Sequence, residues 1–491
     1  MVKESAPVHD TTSLPQISAS SDPALKMKTE TEPNKAAHDT TIAIDNDHLS
    51  LGQADSRYAT DSSWAAYRVY IAILFSEALL FGISLSFGVF QDYYSNQVSL
   101  PNHQLASWIG VLSSGIPYLG TPFITYLCEA ISIKPHYYII LGWALTVIGL
   151  LSSAFCHDVK PLIATQGLLY GIGVLLVEMP SLIIMNTWFV KRRGLFFGLL
   201  CGVLDLFGVA RGFLASSMLN KHGLRITLLT MAAIAFVIPG ICLFFIRERP
   251  VYGTAQTTTE DSHVSAPSTQ QGVATELPPA NRYYQRPTFY LFLIANLLQA
   301  LAFYLPFIYL PSYTTILGYS TSKGAMVLAV ANIAQIVGEI SFGRLSDKFS
   351  VHMLATISAT VACGSTFILW SLADSLAYVI AFAFVFGAFA SGFIALWPRM
   401  GTMFAERDAN MIYSFLSCGR GLGVIVSGPI SSSLLKVGRS RGNDSTPAQT
   451  FKALIVFVGS CMAAGAFITC IGWVSSIHKS LKKSRGKVED V

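Results

Sequence analysis

The sequence predicts an all-α membrane protein with about twelve transmembrane helices in two six-helix halves. Of its 491 residues, 52% are hydrophobic and 12% are charged, whereas a soluble domain usually carries about 25% charged residues. Apolar runs long enough to cross ~30 Å of hydrocarbon recur along the chain, and a polar stretch divides them six and six. Because lipid cannot satisfy open backbone groups and the runs are too long for barrel strands, we interpret each run as a helix.

The chain begins with a polar segment, residues 1–64, that contains few large apolar side chains. Such a segment cannot bury enough surface to offset its ordering entropy, so we expect a disordered N-terminal tail in the cytosol. The first residues show no apolar stretch typical of a cleavable signal peptide, and the first span would therefore act as the insertion signal.

Twelve apolar runs follow the tail, and we refer to them as spans 1 to 12. Spans 1–6 form the predicted N-terminal half, residues 65–246, and spans 7–12 form the C-terminal half, residues 288–477. Residues 247–287 have the composition of an unstructured cytosolic linker, and residues 478–491 form a basic cytosolic tail. The predicted spans are 67–94, 105–128, 136–156, 162–186, 194–217, 226–246, 288–315, 322–343, 353–372, 376–398, 408–436 and 451–477.

The distribution of Lys and Arg predicts that both termini lie in the cytosol, because cytosolic loops carry an excess of these residues. In this orientation the outer loops after spans 1 and 9 hold no Lys or Arg, whereas the outer loop before span 12 holds Lys436, Arg439 and Arg441. That last loop also contains Asn443 in an Asn-Asp-Ser sequence, which makes it a candidate for glycosylation. The inner basic residues are Lys191, Arg192, Arg193, Arg247, Arg249, Arg282, Arg286, Arg344, Lys348, Arg399 and Arg407.

Charged side chains within the spans cost about 2.5–3.5 kcal/mol each on insertion scales, so they mark candidate functional groups. Counting ~1.5 Å per residue from the cytosolic ends places four of them roughly 12–18 Å deep, where transporters bind solutes and coupling ions. Arg211 lies farther out, and Glu339 lies about four residues from the cytosolic end of span 8. The four deep residues are Glu77, Glu178, Asp205 and Arg420.

We expect at least one of these carboxylates to bind a coupling proton, and Arg420 or Arg211 to neutralise an anionic solute. The alternative is a set of fixed ion pairs that hold helices together. Because Asp205 and Arg211 are poorly placed for direct pairing on their helix, each is expected to face a neighbouring helix.

Span 7 carries polar and aromatic residues at helical spacing, among them Asn296, Gln299 and Tyr304. They form a candidate cavity face for a solute with hydrogen-bonding and apolar parts, and a packing role is the alternative. Glycines on spans 4, 5 and 10 allow close approach of helix backbones, either for packing alone or for surfaces that rock during transport.

Several other classes of protein are excluded by missing motifs. The chain contains no GxxxxGK[ST] loop for ATP phosphates, and no HExxH or GxSxG motif, so we expect neither a primary pump nor an enzyme. Its eight cysteines show no metal-ligand spacing, and we expect free thiols with no metal or cofactor. The basic residues are scattered in short clusters, which argues against nucleic-acid binding.

Four segments carry a resemblance to a known family. They are Ser86–Tyr94 (SFGVFQDYY), Trp188–Gly194 (WFVKRRG), Tyr309–Tyr313 (YLPSY) and Gly343–Lys348 (GRLSDK). In their order and spacing they resemble the monocarboxylate porter branch of the major facilitator superfamily, in its fungal form. The resemblance implies alternating access between two six-helix halves, and it implies a conformational loop between spans 8 and 9 formed by Gly343, Arg344, Asp347 and Lys348.

The sequence departs from this family at the positions that bind a carboxylate. Leu85 stands where animal members have Lys, Glu339 stands where the family usually has Arg, and Gln335 replaces an Asp. The motif that precedes span 1 is reduced to the segment Asp61–Tyr67 (DSSWAAY). A small carboxylate is therefore not the expected solute.

These observations predict a proton-linked secondary transporter that exports a small organic molecule such as a fungal secondary metabolite. One alternative is proton-coupled uptake of an organic acid or a vitamin-like nutrient, and another is a membrane sensor that does not transport. We expect a monomer in the plasma membrane.

Overall fold

The computed structural model describes residues 60–96, 105–131, 133–249, 283–404, 408–439 and 447–489, and every regular element within them is helical. Most of the predicted N-terminal tail and of the predicted linker lies outside these residues, as does the glycosylation candidate Asn443.

Spans 1 and 2 are each divided into shorter helices. Span 1 consists of helices Trp64–Leu80, Gly82–Leu85 and Phe87–Asn96, and span 2 of helices Ser107–Leu119 and Thr121–Ala130. The break in span 2 falls at Gly120, between a proline inside the first helix and a proline at the start of the second. Prolines interrupt the helical hydrogen bonds at this point, which explains the break.

Spans 3 and 4 complete the first four spans of the N-terminal half. Span 3 is the helix Pro135–Ser153, which begins with proline at its first position. Span 4 runs through a first turn, Val159–Leu162, a π-helical segment, Ile163–Leu169, and the helix Tyr170–Trp188.

Spans 5 and 6 are joined without a loop. The sequence predicts a loop at about 218–225, whereas the structure has one continuous element, Arg193–Leu243, that turns at Gly223. Gly223 has φ 75° and ψ 178°, a conformation that only glycine adopts readily. A single residue therefore makes the corner.

The C-terminal half has the predicted order of elements. A short 3₁₀ turn at Tyr283–Gln285 precedes span 7, and span 12 continues as a helix through most of the predicted C-terminal tail. The helices of spans 7 to 12 are Pro287–Ile316, Thr321–Ser346, Val351–Ser365 with the π-helical Thr366–Trp370, Leu376–Ala395 with Trp397–Thr402, Ala409–Arg439, and Lys452–Glu489 preceded by Pro447–Thr450.

Nine helices of the described chain are long and apolar enough to cross a membrane. Spans 1 and 2 are absent from this set because they are broken, and spans 5 and 6 count once because they are continuous. When the two broken spans are added to these nine helices and the joined pair is counted as two spans, the total is the twelve spans that the sequence predicts. The chain is a multi-pass membrane protein.

Small residues bring the helix backbones together, both within each half and between the halves. Within the C-terminal half, a Cβ atom on Gly338 of span 8 would lie 2.0 Å from the Ala388 carbonyl oxygen of span 10. Between the halves, a Cβ atom on Gly198 of span 5 would lie 2.3 Å from the Glu339 carbonyl oxygen of span 8. The crossing of spans 5 and 8 therefore depends on glycine at this contact.

Candidate functional site

A central cavity of about 80 Å³ lies between the two halves. It has room for several waters but is smaller than the ~300–1,000 Å³ of typical small-molecule sites. Its lining comes from spans 1, 2, 4 and 5 of one half and from spans 7, 8, 10 and 11 of the other. The lining residues are Glu77, Phe81, Leu85, Tyr118, Glu178, Leu182, Phe197, Leu200, Cys201, Leu204, Asp205, Tyr304, Gln335, Glu339, Ile394, Trp397, Tyr413 and Arg420.

Two carboxyl groups meet across the boundary between the halves. Asp205 on span 5 and Glu339 on span 8 are linked through Gln335, whose side-chain nitrogen donates to a carboxyl oxygen of each. The Gln335–Glu339 bond is 3.3 Å long. Two carboxyl groups held on the same donor repel each other when both are ionised, which favours a bound proton on one of them. This pair is therefore a place where a proton can be held between the halves.

Glu77 and Glu178 form a second acidic pair, within the N-terminal half. Glu77 is buried, with 5% of its surface exposed, and Glu178 lies close enough for the two charges to interact. Among the described residues, Glu77 Oε1 and Glu178 Oε2 have no hydrogen-bond partner. A buried acceptor without a donor costs roughly 1–3 kcal/mol, so a proton or a ligand that donates to these oxygens would stabilise the site.

Arg420 on span 11 is the basic residue among the cavity-lining side chains. It is 2% exposed, its Nη2 donates to the Tyr304 hydroxyl at 2.8 Å, and its Nη1 has no hydrogen-bond partner among the described residues. Its guanidinium carbon lies 5.0 Å from the ring centroids of Phe303 and Tyr304 and 5.6 Å from that of Trp397. Three aromatic faces hold this cation in place.

Arg211 lies outside the cavity lining. Its guanidinium group packs on Gly82 of span 1, where a Cβ atom would lie 2.8 Å from Arg211 Nε. The Tyr170 hydroxyl donates to the nearby Leu80 carbonyl oxygen at the break in span 1. Arg211 is thus positioned to support that break.

Asn296 and Gln299 also lie outside the cavity lining, although Tyr304 lines it. The Asn296 side-chain nitrogen donates to the Leu416 carbonyl oxygen of span 11 at 2.5 Å. The Gln299 side-chain nitrogen donates to the Ala390 carbonyl oxygen of span 10 at 2.9 Å. Both amides bridge span 7 to its neighbours, which is the packing role that the sequence left open.

The loop between spans 8 and 9 contacts the start of span 5. The Asp347 carboxylate accepts hydrogen bonds of 2.9 Å from the backbone N–H groups of Gly194 and Leu195. Burial raises the pKa of Asp347, and these two hydrogen bonds act in the opposite direction. Gly343 packs against Gly194, whereas the side chains of Arg344 and Lys348 are exposed.

A second carboxylate, Asp61, binds the same junction from the segment that precedes span 1. It accepts hydrogen bonds from the backbone N–H groups of Val190 at 3.2 Å, Lys191 at 3.1 Å and Arg192 at 2.9 Å. Asp61 has a positive φ of 65°, a left-handed conformation that Asp adopts more often than most other residues. The junction between spans 4 and 5 is thus held from within its own half and, through Asp347, from the other half.

Further contacts close the predicted cytosolic end of the cavity. The Asn186 side-chain nitrogen donates to Asn410 Oδ1 at 2.9 Å, and the Thr121 hydroxyl donates to the Ser414 carbonyl oxygen at 2.9 Å. Each bond joins the N-terminal half to span 11. Together with the contact between spans 5 and 8, these bonds join the two halves at this end.

The sequence did not single out Tyr118, Trp397 and Tyr413 as lining residues. Gln335 was noted only as a departure from a family motif, and the structure places it between Asp205 and Glu339. Aromatic residues are frequent throughout the spans, so no local signal distinguishes the three that face the cavity.

Comparisons with known proteins agree with this architecture. The solved structure of the Major Facilitator Superfamily transporter FucP in the outward conformation superposes with a TM-score of 0.59 and 15% identity, over 83% of this chain and 99% of that one. The all-α membrane fold with two six-helix halves that the sequence predicts is therefore confirmed.

Three curated relatives are similar along most of the chain. The MFS-type transporter pynF of Aspergillus niger is 25% identical over 446 residues, covering 89% of this chain and 93% of its own. Monocarboxylate transporter 13 of Bos taurus is 27% identical over 83% of this chain and 88% of its own. The agnestins efflux protein AgnL12 of Paecilomyces divaricatus is 23% identical over 71% of this chain and 77% of its own.

The similarity to fungal transporters and to a monocarboxylate transporter confirms the resemblance inferred from the motifs. Residues 69–428 match the sequence profile of the Major Facilitator Superfamily. This match covers most of both halves and includes every residue that lines the central cavity. The chain belongs to the Major Facilitator Superfamily.

Proposed function

We propose that this secondary transporter exports a small organic molecule in exchange for protons. The two halves would rock about the central cavity and expose it to the two sides of the membrane in turn. The protein would carry out no catalysis. The proposal specifies the class of solute, the direction of transport and the coupling ion, none of which follows from membership of the family.

The observation that carries the proposal is the Asp205–Glu339 pair. The pair holds a proton only while spans 5 and 8 are in contact, because its two carboxyl groups belong to different halves. Separation of the halves exposes each carboxyl group to water, where it releases the proton. Proton binding and the position of the halves are therefore linked.

Export is supported by the similarity to an efflux protein and by the charges of the cavity. A small carboxylate would meet four carboxyl groups and one guanidinium group, a poor match for an anion. The uptake of an organic acid, the second candidate, is disfavoured by the same charges.

The proposal places the protein in the plasma membrane as a monomer, with both termini in the cytosol. The contacts of Asp347 and Asp61 would then close the cytosolic end. Its partners would be the solute, protons and the lipid bilayer, with no nucleic acid, metal or cofactor. Asn443 would face the outside as a glycosylation site.

The test uses purified protein in liposomes that contain a pH-sensitive dye and an acidic interior. Addition of an exchanged solute should make the interior more alkaline, and Glu339→Gln should abolish this response while the protein still folds. A substitution of the exposed Asp374 by Asn serves as control. Solute that binds but never moves protons or itself across the membrane would support a sensor and refute the proposal.

A further inference from the structure

We propose that the exported solute carries a basic amine, and that its ammonium group binds the carboxyl groups from which the coupling proton leaves. This inference rests on the proposed exchange of solute for protons, and it names the class of solute. It follows from the balance of charges and hydrogen-bond partners in the central cavity.

Among the cavity-lining side chains that the structure describes, three carboxyl oxygens and two donor nitrogens are buried without a hydrogen-bond partner. The acceptors are Glu77 Oε1, Glu178 Oε2 and Glu339 Oε2, and the donors are Trp397 Nε1 and Arg420 Nη1. The side chains of Glu77 and Glu339 expose only 5% and 1% of their surface, so bulk water does not satisfy them. A ligand that completes this site must bring donors, and an ammonium group brings three of them together with a positive charge.

A metal ion does not fit the same groups. No cluster of three or more His, Cys, Asp or Glu side chains in the described part of the chain has the geometry to hold one. The lining of the cavity also includes aromatic side chains, among them Phe81, Tyr118 and Tyr413. Aromatic faces attract organic cations and contact apolar groups, so an amine attached to an apolar or aromatic body matches the lining.

Arg420 is placed to bind a neutral oxygen of the solute and not an anion. One of its nitrogens is used by Tyr304, and the three aromatic rings fix its plane. Its free Nη1 can bind a carbonyl or hydroxyl oxygen elsewhere on the solute. The amine and the oxygen acceptor of the solute would thus bind to different residues of the cavity.

The exchange balances one charge against another. An ammonium group that enters the Asp205–Glu339 pair takes the place of its shared proton, which leaves to water, and the reverse occurs when a proton returns. One cation leaves the cell for each proton that enters, so the cycle is electroneutral. The other titratable and charged groups around this pair are Cys201, Arg420, Glu77, Glu178, Tyr118, Tyr304 and Tyr413.

The experiment compares three probes with the same ring and nearly the same length: 2-phenylethylamine, its neutral N-acetyl derivative and 3-phenylpropionate. Binding to the purified full-length protein is measured by calorimetry in two buffers that differ in ionisation enthalpy. We expect the amine to bind about tenfold or more tightly than the other two, and to release about one proton on binding. Binding should weaken as the pH falls.

Variants separate the charge from the fold. Glu339→Gln and Asp205→Asn should each weaken amine binding about tenfold or more and abolish proton release, without affecting the neutral probe. Asp374→Asn, which removes an exposed carboxylate, should change nothing. Either cavity variant that folds is sufficient for the comparison.

Three results would overturn the inference: tightest binding of 3-phenylpropionate, amine binding without proton release, and no binding of any probe at millimolar concentration. In each case a pH gradient that still drives efflux of another solute would leave the proposed function standing. Amine binding with proton release but no flux in liposomes would instead support this inference and refute transport.

Discussion

Replacement of Gly198 by Ala should open the contact between spans 5 and 8. The new Cβ atom would lie 2.3 Å from the Glu339 carbonyl oxygen, 3.1 Å from the Glu339 carbonyl carbon and 3.2 Å from Gly343 Cα. Ordinary contacts of a Cβ atom begin near 3.4 Å, so the two helices must separate by about 1 Å at this point. All three neighbours are backbone atoms and cannot rotate away.

The expected shift follows from this overlap. Overpacking of this kind costs about 1–3 kcal/mol, and the cost applies only while the halves are in contact. The gain in helix propensity, about 1 kcal/mol for Ala over Gly, is common to the closed and open conformations and cancels. The ratio of open to closed protein should therefore rise roughly 5- to 150-fold.

Two other glycines provide matched controls. A Cβ atom on Gly364 meets nothing within 4 Å, so Gly364→Ala should leave the ratio unchanged. Gly338→Ala should lower the stability of both conformations, because the Ala388 carbonyl oxygen it meets lies in the same half. Spin labels at the exposed residues Lys134 and Phe349, one in each half, report the separation at the predicted cytosolic end. Identical distance distributions for Gly198→Ala and Gly364→Ala would refute the reasoning.

Further substitutions probe the junction and the cavity. Asp347→Ala leaves two backbone N–H groups of the other half without an acceptor and should favour the open conformation by about 0.5–2 kcal/mol. Asp61→Ala should lower the melting temperature without opening the protein, because its contacts lie within one half. The same spin labels and a thermal melt measure both effects. Tyr304→Phe removes one hydrogen bond to a charged group within the protein and should lower the free energy of unfolding by about 1.5–3 kcal/mol; an unchanged thermal melt would show that this bond does not stabilise the fold. Arg420→Lys keeps the charge but loses the planar contact with three rings, and flux should fall while the fold survives; full flux would show that stacking is dispensable. Asn296→Ala should lower stability by about 1–3 kcal/mol with unchanged affinity, and a loss of affinity at normal stability would return this residue to the cavity.

Depth along the membrane could be predicted from the sequence, because a helix rises by a constant amount per residue. Glu77, Glu178, Asp205 and Arg420 were placed at one level by this count, and the structure gathers them in one cavity. The twelve spans could be predicted from hydropathy for the same reason, because a helix with a constant rise per residue needs about 20 apolar residues to cross the membrane.

The depth of Glu339 was underestimated because span 8 was ended at residue 343, whereas the helix continues to Ser346. Direction around each helix could not be predicted from the sequence. Asn296 and Gln299 share a helical face that looked suitable for a cavity, but it packs against spans 10 and 11. In a span that is apolar all round, the sequence contains no periodic signal for the face that meets solute.

The corner at Gly223 has a mechanical consequence. A flexible loop between spans 5 and 6 would absorb the tilt of one helix before it reached the other. Only Gly223 separates the two helices, so a tilt of span 5 should move the adjoining end of span 6 with it. A movement of span 5 at its contact with span 8 would then also move span 6, which lies at the lipid-facing side of the N-terminal half. Bilayer thickness and lateral pressure, which act on span 6, should therefore affect the contact between spans 5 and 8.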